Sequence, residues 1–344
     1  MIRHLPSWFA IILVTSTVWA AEPDQYPAPG PNSAEEPLAK VLSLEKAGTF
    51  LDRAVFAWTR EQNCGSCHTS YPYLMARPAI GDAKAPALLE MRSFFEKRIA
   101  KWDSGGLPEG SEGTTEIVAT AATLAFQDAQ STGKLHPLTR KALDKMWTVQ
   151  KEDGAWDWNK HELPPLEYDE YFGAVYAAFG VGFAPEGYAK GESAKEGLAR
   201  LRKYLQTNPA PWLHHKAWLL FASQRLDGLM SATEQKKTIQ ELLALQREDG
   251  GWSLPSLGDW KRLDGTANDP KGPSDGYGTG LVIYILRQSG VPKDDKAIQR
   301  GVKWLKTNQR ESGRWFTRSV NADRDHWITN AGTAFAVLAI KSCE

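Results

Sequence analysis

The sequence predicts an all-α protein, a single (α/α)6 toroid in which six helical hairpins close into a ring. Two observations predict this fold class: a seven-residue frame recurs six times along the 344 residues, and helical segments of two kinds alternate between the frames. The first anchors of the frames lie at positions 61, 101, 150, 206, 246 and 309. A repeat of roughly 40–60 residues is typical of helical-hairpin arrays, because one hairpin cannot bury its apolar face alone.

The complete frames have a Gln, then Asp or Ser followed by Gly, and finally a Trp. They are Gln150–Asp153–Gly154–Trp156, Gln246–Asp249–Gly250–Trp252 and Gln309–Ser312–Gly313–Trp315. Three degenerate copies keep the spacing: Glu61–Cys64–Gly65–Cys67, Lys101–Ser104–Gly105–Leu107 and Gln206–Pro209–Trp212. We expect each Gly to adopt the left-handed conformation that ends a helix, and each Asp to bond amides of the turn. The Trp would pack back on its hairpin, and the Gln would satisfy backbone groups that the ended helix leaves open.

A charged, amphipathic segment precedes each frame, and these segments are predicted to be the outer helices. Their ranges are 44–60, 85–100, 138–150, 194–206, 232–246 and 295–309. The segments that follow the frames are richer in small and apolar residues, which predicts helices on the inside of the ring. Their ranges are 71–80, interrupted by Pro78, and then 115–127, 169–181, 212–223, 275–288 and 325–340.

Residues 1–21 are predicted to be a secretory signal, with a charged start, an apolar run over 9–19 and small residues before the cleavage point. Residues 22–40 contain five prolines and predict an extended linker, so the toroid would occupy 41–344. The signal predicts a periplasmic or secreted protein, and no second apolar stretch predicts a transmembrane span. With 41 basic and 41 acidic residues and no basic stripe, the chain is not expected to bind nucleic acid.

The repeat frames resemble the QW repeats of the squalene-cyclase and protein-prenyltransferase superfamily. The stretches 246–252 and 304–315 carry the resemblance most closely, and it extends over residues 44–342. The resemblance implies a terpenoid-cyclase toroid and, as one possible activity, squalene–hopene cyclase-like or prenyltransferase-like chemistry on an isoprenoid. Two departures bear on that activity: the acid motif D-x-D-D is absent, and no Cys lies on an inner helix to complete a prenyltransferase-like zinc site. The sequence nearest to D-x-D-D is Asp323-Arg324-Asp325-His326.

If the chain is such an enzyme, its candidate acids are Asp169, Asp275 and Asp325, with His326 beside the last of them. Each Asp is predicted to begin an inner helix. A carboxylate there also caps free amides and suits the helix dipole, so capping and acid catalysis remain alternative roles.

The first frame carries Cys64-Gly65-Ser66-Cys67-His68, the pattern of a covalent c-type haem. Two thioethers from Cys64 and Cys67 would fix the porphyrin, and His68 would supply an axial nitrogen to the haem iron. Met75 is the first candidate for the second axial ligand, before Met91 and His136. This reading predicts a redox or electron-transfer role and a redox partner.

Two other readings of the motif stay open. Cys64 and Cys67 could form a disulfide in a non-catalytic binding toroid, since an exported protein folds in an oxidising compartment. They could instead join His68 in a zinc site, although a structural zinc needs four ligands. The remaining cysteine, Cys343, is expected on the opposite face of the ring, because it ends an inner helix.

Every frame ends an outer helix, so all six frames and the loops after them are predicted to open on one face of the ring. The three longest of these loops are rich in aromatic and ionisable residues, which predicts a mouth that binds a small apolar or aromatic ligand. Repeat packing is the alternative explanation for Trp156, Trp252 and Trp315.

Overall fold

The computed structural model describes residues 25–81 and 85–344, and the predicted signal at 1–21 lies outside the described residues. The described chain forms twelve α-helices, four short 3-10 turns and isolated β-bridges, without a strand. The helices are α1 (Leu44–Gln62), α2 (Ser70–Ala76), α3 (Pro86–Lys101), α4 (Gly110–Ser131), α5 (Pro137–Thr148), α6 (Glu170–Phe183), α7 (Glu192–Thr207), α8 (Leu213–Ser223), α9 (Ala232–Ala244), α10 (Gly276–Gln288), α11 (Lys296–Thr307) and α12 (Ile328–Lys341).

The even-numbered helices form a closed inner ring. Each packs against the next, from α2 through α4, α6, α8 and α10 to α12, and α12 packs in turn against α2. The odd-numbered helices lie outside, each against an inner helix. Burial follows the same division: α12 is buried from Ile328 to Ile340, whereas α11 buries a single stripe. The architecture is the (α/α)6 toroid that the sequence predicts.

The predicted helix ranges hold to within a few residues, with one difference that concerns the candidate site. The last inner helix begins at Ile328 rather than at Asp325, and its N-cap is Trp327. Asp325 and His326 both have left-handed backbones, with φ of 56° and 43°. Such a conformation cannot continue a right-handed helix, so the prediction that Asp325 caps α12 is wrong.

The frame glycines have the predicted left-handed backbone, with φ of 98° at Gly154, 96° at Gly250 and 99° at Gly313. They lie in the turn after the helix rather than at its cap, since α5 already ends at Thr148. The other frame residues act as predicted. In the third frame, Asp153 accepts the amide of Ala155 at 3.0 Å, and Trp156 Nε1 donates to the Met146 carbonyl on α5 at 2.9 Å.

The frame glutamine serves its own turn and also binds the next outer helix. Gln150 Nε2 donates to the carbonyl of Gly154 at 2.9 Å and to that of Gly197 on α7 at 3.0 Å. The other complete frames repeat the pattern, with Gln246 bound to Gly250 and Ala297, and Gln309 bound to Gly313 and Ser43. The last of these joins the sixth hairpin to the first and closes the ring.

The Pro-rich segment before α1 lacks regular structure, as expected of a linker, but it is docked on the ring. Tyr26 stacks on Phe56 with ring centroids 4.4 Å apart. Arg314 donates to the carbonyls of Gly30 and Pro31, both at 3.0 Å, and pairs with Glu36 at 2.8 Å. The segment therefore covers the seam between the last and the first hairpin. In the part of the chain that is described, no helix combines the length and the hydropathy needed to cross a membrane.

Candidate functional site

The C-x-x-C-H motif forms a tight turn between the first outer and the first inner helix, where the repeat frame predicts a turn. The chain leaves α1 through Asn63, which has a left-handed backbone with φ of 49°. The carbonyl of Ser66 then accepts the amides of Thr69 and Tyr71, at 3.3 and 3.1 Å. Ser66 Oγ accepts the amide of His68 at 3.2 Å. These bonds fix the backbone of the motif before α2 begins.

Gly65 is required in this turn by packing. A Cβ at this position would lie 2.4 Å from Tyr71 Oη and 3.0 Å from the Phe95 ring. The glycines of the complete frames are held by a left-handed backbone in addition to close packing. Gly65 is not among the glycines with positive φ, so packing alone accounts for it.

Both cysteines of the motif are free thiols, as is Cys343, so the Cys64–Cys67 disulfide allowed by the sequence is not formed here. Cys64 is half-buried and Cys67 is buried. Burial raises the pKa of the Cys64 thiol and raises that of Cys67 strongly, which keeps both protonated near neutral pH. Among the described residues, no three His, Cys, Asp or Glu side chains are placed to hold a metal ion, so the zinc reading finds no ligand set.

His68 is buried and faces a carboxylate from a distant loop. Its Nδ1 lies 3.7 Å from Glu167 Oε1, with side-chain exposures of 6% and 12%. Glu167 belongs to a small hairpin closed by two backbone bonds with Leu163, at 3.2 and 3.1 Å. Burial raises the pKa of Glu167, but His68 and Cys67 lower it by more, so the pKa lies below its usual value and the group is ionised. The sequence shows Glu167 only as one of several carboxylates in its loop.

A small apolar cavity of about 290 Å³ lies at the centre of the ring beside Cys67. It admits only about one water molecule, because most of this space lies too close to protein atoms for a water to fit. The other lining residues are Tyr71, Pro72, Met75, Trp158, Leu166, Phe172, Tyr176, Trp218 and Phe335. Met75 is held there by Tyr176 Oη, 3.7 Å from its Sδ. The lining contains no carboxylate.

A second cavity of about 380 Å³ lies at the mouth of the ring beside His68. Its other lining residues are Leu163, Pro164, Ser319, Asn321, Ala322, Arg324, Asp325, Trp327 and Ile328. His68 and Cys67, although adjacent in sequence, line different cavities, and the loop from 163 to 167 contributes to both. Met75 lies with Cys67 rather than with His68.

The three long loops meet on the face of the motif, as the topology predicts. Asn321 joins them, because its Nδ2 donates to the Glu162 carbonyl at 2.8 Å and its carbonyl accepts the Leu263 amide at 2.8 Å. The loops cover the mouth instead of leaving a wide opening. The frame tryptophans Trp156, Trp252 and Trp315 are fully buried and bonded to the preceding outer helix, which confirms their packing role.

Asp169 and Asp275 are N-caps of inner helices, as the capping alternative predicts. Asp169 accepts the Phe172 amide at 2.9 Å and also binds His215 Nε2 at 3.1 Å. Asp275 accepts the amides of Gly278 and Leu254 at 2.8 and 2.5 Å, and burial raises its pKa to about 6. Neither carboxylate lines the central or the mouth cavity.

The last two candidate residues lie in the third long loop. Asp325 borders the mouth cavity together with His68, and its backbone carbonyl accepts Asn32 Nδ2 at 3.0 Å. His326 Nδ1 accepts the Ser319 amide at 3.1 Å, and burial lowers the pKa of this imidazole. Of the four candidate catalytic residues, the structure therefore brings only Asp325 to a cavity that the haem motif shares.

The donor chemistry around the motif suits a c-type haem. Cys64 and Cys67 are free to form thioethers. His68 directs Nδ1 towards a carboxylate, and no described residue hydrogen-bonds its Nε2. A metal-binding histidine has this arrangement, with one ring nitrogen on a carboxylate and the other available to the metal.

No model of a known protein family matches the sequence. The squalene–hopene cyclase of Zymomonas mobilis subsp. mobilis is 31% identical over 123 residues, covering 33% of this chain and 16% of the cyclase. The chain thus spans a small part of the length of that relative. A crystal structure of a possible GH105 family member from Klebsiella pneumoniae subsp. pneumoniae aligns with a TM-score of 0.44 and 14% identity, covering 79% of each chain.

Proposed function

We propose that this protein is an exported, squalene-cyclase-like toroid that carries a covalent c-type haem and has a redox role. One observation carries the proposal: two free thiols and a buried imidazole with Nδ1 against a carboxylate lie together in the first frame. Cys64 and Cys67 would hold the porphyrin edge, and His68 Nε2 would ligate the iron. Bound haem would supply a one-electron iron couple at this end of the ring.

The surroundings of the motif determine how a bound haem would be reached by water and by a redox partner. The covered mouth limits access of water to His68, which is 4% exposed. Cys64 and Gly65 are the half-buried part of the motif and mark the side from which a redox partner would approach. Both cavities beside the motif have room only for water molecules, so an apolar or aromatic ligand in the mouth would require the long loops to open. Met75 remains our candidate for the second axial ligand, although it lines the other cavity.

The test is haem attachment in protein exported from a host that matures c-type cytochromes. We expect a Soret band and an intact mass that includes one haem, both lost completely in Cys64→Ala/Cys67→Ala. Cys343→Ala is the matched control and should keep both signals, because this free thiol lies outside the motif. A colourless wild-type protein at the mass of the bare chain would refute the proposal. A colourless protein lighter by two hydrogens would favour the binding toroid with a Cys64–Cys67 disulfide.

A terpenoid enzyme is the second candidate, supported by the cyclase similarity and by the aromatic lining of the central cavity. Aromatic faces stabilise cations, which suits carbocation chemistry. Against it, the lining of that cavity contains no carboxylate, and Asp169, Asp275 and Asp325 all lie outside it. Incubation with squalene or a prenyl diphosphate, followed by product analysis, tests this candidate. Turnover that is lost in Asp325→Asn and kept in Asp169→Asn would support it.

A further inference from the structure

Glu167 is a buried carboxylate that the repeat architecture alone does not explain. It lies outside the helices, in the hairpin that begins at Leu163, and its side chain is 12% exposed. A buried carboxylate costs free energy unless it is paired or hydrogen-bonded. None of the described Lys or Arg side chains forms an ion pair with it, and its partner is the imidazole of His68 at 3.7 Å.

The chemistry of an iron-bound histidine sets the role of this pair. When Nε2 ligates a metal, the remaining ring proton of a neutral imidazole must be on Nδ1, the atom that faces Glu167. The observed separation is that of an ion pair and exceeds a normal hydrogen bond. Ligation would favour the closer contact, because it places a donor opposite the carboxylate.

We propose that Glu167 is the positioning residue for the haem ligand: it accepts the Nδ1–H of His68, orients the ring and makes Nε2 more electron-rich. This inference rests on the proposed function. A more electron-rich axial nitrogen stabilises ferric over ferrous iron, so the carboxylate lowers the midpoint potential of the one-electron couple. The midpoint potential is therefore expected to depend on the charge of Glu167.

The experiment compares holoproteins that differ only in this hairpin. Glu167→Gln keeps the size of the side chain but removes its charge. Glu167→Asp keeps the charge but moves it farther from His68, because the side chain is one methylene shorter. Glu162→Gln is the matched control, because Glu162 lies in the same loop and is exposed. We would measure the midpoint potential by spectroscopic redox titration, together with the thermal unfolding of each variant.

We expect a clearly more positive midpoint potential in Glu167→Gln, a smaller positive shift in Glu167→Asp and no shift in Glu162→Gln. If Glu167→Gln fails to fold, the midpoint potential of Glu167→Asp is compared with that of the wild type instead. Haem-bearing variants at Glu167 with the potential of the wild type would overturn this inference and leave the haem proposal standing. A wild-type protein without haem would instead refute the proposed function on which the inference rests.

Discussion

At the scale of single residues, three buried histidines line the inner helices and their entry turns, and each is held differently. His68 faces Glu167, and His215 Nε2 binds Asp169 at 3.1 Å. His214 Nε2 shares a hydrogen bond with Tyr277 Oη at 2.9 Å, while its Nδ1 has no partner. Burial, and then the neighbouring His215, hold the pKa of His214 well below its usual value. His214 is therefore neutral in the folded protein.

His214 should make the protein less stable in mild acid. The unfolded chain protonates this side chain below about pH 6.5 and the folded protein does not, so stability falls as the pH drops below that value. The contribution has a slope of at most about 1.4 kcal/mol per pH unit. In His214→Phe we expect a shallower fall between pH 6.5 and 5, measured by denaturant unfolding.

His214→Phe also loses the hydrogen bond to Tyr277, which lowers its stability by about 1 kcal/mol, equally at every pH. The change in slope therefore reports the loss of the imidazole alone. Tyr277→Phe is the control, because it removes the same hydrogen bond but keeps the imidazole of His214, so the fall of stability with pH should remain. Equal slopes in wild type and His214→Phe would show that His214 is not the group responsible.

At the scale of the elements, the repeat frame is a connector between hairpins as well as a turn. Its glycine is held by two constraints, a left-handed φ and the backbone of the following outer helix. A Cβ on Gly154 would lie 2.3 Å from the carbonyl oxygen of Arg200, and one on Gly313 would lie 2.3 Å from that of Lys46. The degenerate frame at Gly105 shares the left-handed φ, of 87°, but a Cβ there meets no atom within 4 Å.

This contrast predicts two different costs for the same substitution. Gly105→Ala should lower the free energy of unfolding by about 1 kcal/mol, the cost of a left-handed alanine. Gly154→Ala should lower it by about 3 kcal/mol, because overpacking against a rigid backbone adds to that cost. Chemical denaturation of both variants measures the difference. Equal losses would mean that the α7 backbone can move away from the turn.

At the scale of the whole molecule, the ring is closed by three sets of contacts at one seam. The inner helices α12 and α2 pack together, Gln309 binds Ser43, and the segment before α1 lies across both hairpins. Arg314 is central to the last set, since its side chain is 5% exposed and pairs with Glu36. Its guanidinium also lies over the ring of Phe50, 4.9 Å from the centroid.

Arg314→Ala should therefore open the seam. We expect a loss of about 3 kcal/mol or more, since removing one partner of a buried pair leaves the other charge unpaired. Arg318→Ala is the matched control and should cost under about 1 kcal/mol, because the Arg318–Asp323 pair is more than half exposed. Faster proteolysis within residues 25–40 of the Arg314 variant would locate the opening. An unchanged melting temperature would show that the other seam contacts suffice.

The number of hairpins, the alternation of outer and inner helices, and the place of the C-x-x-C-H motif in the first frame are all predicted from the sequence. These features are periodic or local, and helix periodicity and turn chemistry are encoded within a few residues. The N-cap roles of Asp169 and Asp275 are also predicted from the sequence, because an Asp before an apolar run is a local signal.

Which side chains come into contact depends on the closed ring, and the sequence does not predict it. His68 faces Glu167 across about a hundred residues of chain, Arg314 binds a segment near the other end, and the ring centre is filled by aromatic side chains. The left-handed backbone that withdraws Asp325 from α12 is likewise imposed by its loop. Such contacts depend on ring closure and on the paths of long loops, and neither leaves a periodic signal in the sequence.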